Sequence, residues 1–192
     1  MVSIRIAQDE TADQLLSTDP FALMVGMLLD QQYGMEHAFR GPAKIVDKLG
    51  TLDPGTIAAQ DPDKFADLCS TTPAIHRYAR SMAGRVQQLA QVVLDDYDGD
   101  ASRIWTNAGS TAELLNRLKS LPGYGDQKAR IFAALLGKQL GVTPDGWRET
   151  IGPYAEVGSF RSVADVVDET SLQKVREFKK SAKAAAKASA AE

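Results

Sequence analysis

The chain has 192 residues, of which 44% are hydrophobic and 24% are charged, as in an ordinary globular protein that buries its own core. A single cysteine, Cys69, excludes a disulfide within the chain, a four-cysteine zinc site and a four-cysteine iron–sulfur cluster. The two histidines are too few for a typical catalytic zinc site. We therefore expect neither zinc nor an iron–sulfur cluster.

The charge of the chain is distributed unevenly. The net charge is −3, yet residues 171–192 carry six positive and two negative side chains. Residues 117–138 carry five positive side chains and one negative side chain. A local basic patch is what phosphate contact requires, although lysines on a solvated helix face are the commoner reason for such a cluster.

Apolar residues at helical spacing and aspartate or serine caps predict a mostly helical chain. In chain order, the predicted helices are Thr11–Ser17, a helix that starts at Asp19-Pro20 and runs through Phe21–Asp30, His37–Leu49, two short helices after Asp53-Pro54 and Asp61-Pro62, Arg77–Tyr97, Thr111–Lys119, Gln127–Leu140 and Ser162–Val167. Ser171–Glu192 has enough apolar residues in its first half to dock. Its second half is a solvated helix, a frayed tail or a basic arm.

The most informative segment joins two of these helices through Leu121-Pro122-Gly123-Tyr124-Gly125. Pro122 fixes φ for a turn, and the glycines allow positive φ and leave N–H groups unshielded at the start of the next helix. Such a helix N-terminus binds phosphate, which is a contact that does not read base sequence. The alternative is an ordinary helix connection, because Pro-Gly-x-Gly is also common turn chemistry.

With Ala129 placed to pack the hairpin, this segment resembles the helix-hairpin-helix of the DNA glycosylase superfamily, which includes endonuclease III and the adenine, 8-oxoguanine and alkylpurine glycosylases. The resemblance implies an all-α fold of two lobes with a cleft between them. One lobe would be six helices in residues 34–125, ending in the hairpin; the other would join 1–33 to 126–180, followed by an Ala/Lys-rich tail, 181–192. The implied partner is duplex DNA, contacted by Gly123, Tyr124, Gly125, Gln127, Lys128 and Gln32.

The resemblance also implies the chemistry. The family has a catalytic aspartate in the loop after the helix that follows the hairpin, and Asp145 stands there, 20 residues after Gly125. Its carboxylate would stabilise an oxocarbenium-like transition state and orient a water, although Pro-Asp-Gly is also a plain turn sequence. Strand-cutting relatives have a lysine two residues after the second glycine, where this chain has Gln127. We therefore expect a monofunctional enzyme, with Lys128 as a phosphate contact or a surface charge.

A base rotated out of the duplex leaves a gap that the enzyme fills, and the base needs a pocket. In endonuclease III and the adenine glycosylases the corresponding helix ends in a glutamine-containing turn that enters the stack, so Gln32 is the predicted wedge. Gln31, Tyr33 and Trp147 are the predicted pocket residues, with core packing as the alternative for the two aromatic rings. Relatives also hold a monovalent cation on hairpin carbonyls, which would be those of Leu121 and Gly123; no other cofactor is expected.

Together these features predict a DNA glycosylase of base excision repair that hydrolyses the N-glycosidic bond of a damaged or mispaired base. We expect a cytoplasmic monomer, nucleoid-associated if bacterial, without membrane contact, because the longest apolar run, Phe21–Leu29, is too short to span a bilayer. Two alternatives stay open: a helix-hairpin-helix module that binds DNA without catalysis, and an interaction protein that does not bind nucleic acid.

Overall fold

The structure, a computed structural model, describes residues 3–189 and contains no β-strand within them, which confirms the predicted all-α fold. The α-helices are α1 Glu10–Thr18, α2 Pro20–Leu29, α3 Met35–Phe39, α4 Gly41–Leu49, α5 Pro54–Ala58, α6 Pro62–Ser70, α7 Ala79–Tyr97, α8 Arg103–Thr106, α9 Thr111–Lys119, α10 Asp126–Leu140, α11 Trp147–Ile151 and α12 Glu169–Ser189. Short 3₁₀ turns lie at Gly152–Ala155 and Val163–Asp165. The division of the chain into two lobes stays a prediction.

Helix α2 is the central helix of the fold. It starts as predicted, with Pro20 as its first residue and the Asp19 carboxylate accepting the N–H groups of Phe21 and Ala22 at 2.8 and 3.2 Å. Every residue from Phe21 to Leu29 is buried, and α1, α3, α4 and α7 all pack on this helix. The polar turn that follows Leu29 is therefore anchored to the most deeply buried element of the protein.

The predicted helix His37–Leu49 is wrong, because this stretch forms two helices, α3 and α4, separated at Arg40. Pro42 has no N–H to donate and its ring blocks a continuous helical path, so the chain changes direction there. The Arg40 guanidinium holds the break by donating to the carbonyls of Ala7 and Gln8 at 2.8 and 3.0 Å.

The C-terminal region differs from its prediction in two further places. The segment after Ser162 has the expected serine cap, in a capping box with Asp165, but it forms a 3₁₀ turn instead of an α-helix. The Ala/Lys-rich segment is helical through Ser189, and residues 190–192 lie outside the described residues. No helix in the described part of the chain is long and apolar enough to cross a membrane.

Candidate functional site

The two hairpin glycines have different structural roles. Gly123 has φ +76°, and a Cβ atom there would lie 2.4 Å from Cδ1 of Leu28 in α2. Gly125 is the N-cap residue of α10 without a side-chain cap, and a Cβ atom there would meet nothing within 4 Å. Gly123 therefore allows the hairpin to pack on α2, whereas Gly125 leaves the first N–H groups of α10 open to an anion.

Tyr124, between the glycines, faces the core. Its hydroxyl donates to the Met24 carbonyl at 2.8 Å, and its ring meets Phe132 edge-on at 5.9 Å between centroids. The predicted DNA contact of Tyr124 is therefore wrong, because ring and hydroxyl both point inward. Its N–H donates to the Leu121 carbonyl at 3.1 Å. That oxygen keeps a second lone pair, and the monovalent cation on the carbonyls of Leu121 and Gly123 stays a prediction.

Lys128 turns into the protein, contrary to its prediction as a phosphate contact or surface charge. Its Nζ donates to the carbonyls of Met27 and Leu28, both at 2.9 Å, and so caps the C-terminal turn of α2. Burial lowers the pKa of Lys128 to about 8, against the opposing effect of the Asp30 carboxylate. The neighbouring Gln127 is exposed and donates to the Tyr154 hydroxyl at 3.1 Å, since one helical residue is a rotation of about 100°.

The turn after α2 presents one glutamine to solvent and holds the other. The Gln31 side-chain oxygen accepts from Arg85 at 2.8 Å, and its backbone carbonyl lies 3.1 Å from Nε2 of His76. Gln32 is exposed, adopts the left-handed φ of +52°, and accepts from the Arg77 guanidinium at 3.2 Å. A non-glycine residue keeps such a conformation only where its surroundings impose it, which is common at functional sites.

Arg85 joins this turn to the hairpin. Its guanidinium bonds Gln31, and its Cδ and Nη1 atoms lie 3.9 Å from the position of a Cβ atom on Gly123. The structure therefore brings the predicted residues Gly123, Gly125, Gln31, Gln32 and Tyr33 into one region. Arg85 was missing from the sequence-based site, and no spacing signal marks it.

His76 supports the turn from beneath as a buried residue. Its Nδ1 accepts the Tyr78 N–H at 3.0 Å, which leaves the proton on Nε2 for the Gln31 carbonyl. Its ring packs against the half-buried ring of Tyr33, with 4.6 Å between centroids. Tyr33 thus packs on His76, as the packing alternative states, and keeps one part exposed.

We expect the His76 imidazole to titrate below 6.5, its ordinary pKa, because burial lowers it and the nearby charges of Arg77 and Lys128 lower it further. The unfolded chain then takes up a proton near pH 6.5 that folded His76 does not. The stability contributed by neutral His76 is therefore present above pH 6.5 and lost as the pH falls. An NMR titration of the imidazole carbons measures this pKa, and a value above 6.5 would contradict the buried neutral ring.

Asp30 is a further carboxylate of this region, and it is not among the residues predicted from the sequence. It is the C-cap residue of α2, directly before the turn that contains Gln31 and Gln32, which we call the glutamine turn. Burial raises its pKa, Lys179 and Lys128 oppose the rise, and Glu36 adds to it. Glu36 is itself buried and forms an ion pair with Arg176 of α12. An acidic residue directly after the nine-residue apolar run Phe21–Leu29 was the available sequence signal for Asp30.

Asp145 does not lie with these residues. It is exposed, and its carbonyl accepts the Thr111 N–H at 3.1 Å at the start of α9, whereas the hairpin follows the other end of that helix. The nine residues of α9 span about 14 Å, and the 15 residues of α10 span about 22 Å. Only residues 141–144 separate α10 from Asp145, and the five residue steps from Leu140 to Asp145 reach at most about 18 Å, less than the length of α10. The loop is therefore too short to return Asp145 to the hairpin.

Trp147 is also absent from the predicted base pocket. Its indole N–H donates to the Ala133 carbonyl at 2.9 Å, and the ring lies directly over Gly137, with a Cβ position there only 2.2 Å from the ring. The side chain is 7% exposed. Trp147 fixes α11 against α10, so its prediction as a pocket residue is wrong and the packing alternative is right.

Comparison with known proteins gives one match. A family model described as the HhH-GPD superfamily base excision DNA repair protein matches residues 25–190, which include the glutamine turn and the hairpin. No curated protein and no solved structure matches the chain. The matched range is most of the 192 residues. The chain therefore belongs to the HhH-GPD superfamily of base excision DNA repair proteins.

Proposed function

We propose that the protein is a monofunctional DNA glycosylase that hydrolyses the N-glycosidic bond of a damaged or mispaired base rotated out of duplex DNA. The observation that carries the proposal is the position of the hairpin beside the turn after α2: Arg85 lies next to Gly123 and bonds Gln31, and Arg77 bonds the exposed Gln32. Phosphate bound at Gly125 would fix the register on the duplex, and Gln32 would fill the gap left by the base.

Asp30 is the carboxylate whose position best suits a catalytic role in hydrolysis of the N-glycosidic bond. It directly precedes the glutamine turn. Burial raises its pKa, and the charges of Lys179 and Lys128 oppose that rise in favour of the ionised form. An ionised carboxylate beside the sugar would stabilise the positive charge that develops as the base leaves, and would orient a water for attack. Asp145 stays a candidate by its spacing alone.

Two side chains support the absence of strand cleavage. Gln127 has no nucleophilic amine with which to form a Schiff base at the position where strand-cutting relatives have lysine. The Lys128 amine donates to two backbone carbonyls and, with a pKa of about 8, is mostly protonated at neutral pH. We therefore expect no covalent complex after borohydride treatment at neutral pH.

A panel of duplexes with single lesions tests the proposed function. Uracil, hypoxanthine, 8-oxoguanine mispairs and alkylated purines are each incubated with the protein, and abasic sites are scored by strand cleavage with and without alkali. We expect alkali-dependent cleavage of at least one substrate. Cleavage without alkali, together with borohydride trapping, would contradict the monofunctional assignment.

The second candidate is a protein that binds DNA without excising a base. The position of Asp145, a helix length from the hairpin, favours it, because the family's aspartate is then missing from the site. Duplex binding that falls steeply with salt, combined with no base release from any substrate, would support this candidate over the glycosylase.

A further inference from the structure

Helix α12 is anchored in its first half and extends from the body in its second. Leu172 and Val175 are buried, and Arg176 pairs with Glu36 of α3. Every residue from 181 to 189 is exposed. The anchor lies close to the glutamine turn, because Glu36 follows Gln32 by four residues.

The exposed half presents its positive charges on one face. Lys180, Lys183 and Lys187 follow Arg176 at intervals of four, three and four residues, which places all of them within about 40° of Arg176 around the helix. We call these three lysines the lysine stripe. The opposite face of α12, with Lys174 and Phe178, packs beside residues 156–161. The stripe therefore continues the face that points toward α3 and the glutamine turn.

The composition of the helix around the stripe indicates which kind of ligand the lysines would bind. Residues 178–189 contain no acidic side chain to neutralise the lysines. Alanine and serine are the only other residues in 181–189, so this part of α12 has no large apolar side chain to insert into a lipid surface. A row of ammonium groups without an apolar face matches an extended phosphate polyanion.

We infer that the lysine stripe binds the phosphate backbone of the same duplex that the hairpin holds, outside the hairpin's own contacts. This inference rests on the DNA binding in the proposed function. The seven residue steps from Lys180 to Lys187 extend about 10 Å, which corresponds to about three base pairs of duplex at 3.4 Å each. The stripe thus lengthens the footprint and adds affinity that is independent of base sequence.

Two variants of the full chain test the inference on an undamaged duplex of about 20 base pairs, a length that covers both surfaces. The first, Lys183→Ala/Lys187→Ala, removes two charges. The second, Lys183→Ala/Ala185→Lys/Lys187→Ser/Ser189→Lys, keeps composition and net charge but moves both lysines to the opposite face. We expect both to lower the slope of log K against log salt by about 1.8 and to weaken binding at least about tenfold at low salt.

Wild-type slope in the charge-removed variant, or in the face-swapped variant, would overturn the inference, because the stripe requires both the charges and their face. Gly125→Asp, measured in the same titration, separates this failure from failure of the proposed function. If Gly125→Asp loses binding and the stripe variants do not, the result supports DNA binding by the hairpin and contradicts DNA binding by the lysine stripe. If none of the variants changes binding, the DNA-binding assignment itself falls.

Discussion

Asp30→Asn is expected to slow base release at least about a hundredfold, whereas Asp145→Asn leaves the rate within about twofold of wild type. Asn preserves the size of Asp30 at the end of α2 and removes only its charge. That charge lies beside the glutamine turn, while the exposed Asp145 carboxylate lies a helix length from the hairpin. Single-turnover release of the base, followed by alkaline cleavage, measures both rates on the best substrate of the panel.

Duplex affinity is the control for this pair of variants. Both should bind the substrate as the wild type does, since neither side chain hydrogen-bonds to the hairpin or to Gln32 within residues 3–189. The reverse result, with Asp145→Asn inactive and Asp30→Asn active, would show that spacing after the hairpin identifies the catalytic carboxylate and that proximity to the turn does not.

Gly123→Ala is expected to lower the free energy of unfolding by about 2–5 kcal/mol. The left-handed φ of +76° costs about 1–2 kcal/mol for a residue with a Cβ, and the contact of 2.4 Å with Leu28 adds about 1–3 kcal/mol of overpacking. Denaturation in urea measures the change. Gly125→Ala is the matched control, since its Cβ would enter open space at a φ of −86°.

Variants of the two hairpin glycines also distinguish an effect on folding from an effect on DNA binding. Gly125→Asp should keep the stability of the wild type, because aspartate is a favoured N-cap residue, yet its carboxylate would occupy the anion position. Equal destabilisation by Gly123→Ala and Gly125→Ala would show that the two glycines do not divide packing and phosphate binding between them.

Local signals in the sequence predicted the elements that depend on short-range chemistry. Asp19-Pro20 marked the start of α2, and the glycines marked the hairpin before α10. Gln32 was predicted to face DNA, and the structure exposes it in a strained conformation. The break between α3 and α4 was missed, although Pro42, which cannot donate within a helix, was a local signal for it.

The remaining errors concern the path of the chain through space. Counting residues placed Asp145 beside the hairpin, but α10 continues to Leu140 and leaves too few residues to return. The inward directions of Tyr124 and Lys128 depend on the carbonyls of α2, which lie about 100 positions earlier in the chain. Residue spacing carries no information about such contacts, so the directions of these two side chains required the structure.

The measurement that bears most directly on the DNA-binding face is a disulfide cross-link from Gln32→Cys. The probe is a duplex with an activated thiol on the base opposite an abasic-site analogue. Cys69, the only native cysteine, is buried and burial raises its pKa to about 11, so the wild type should not react. We expect Gln32→Cys to cross-link and Asp145→Cys to remain unmodified. Cross-linking of Asp145→Cys without Gln32→Cys would place the DNA on the opposite end of the hairpin helices and contradict the proposed site.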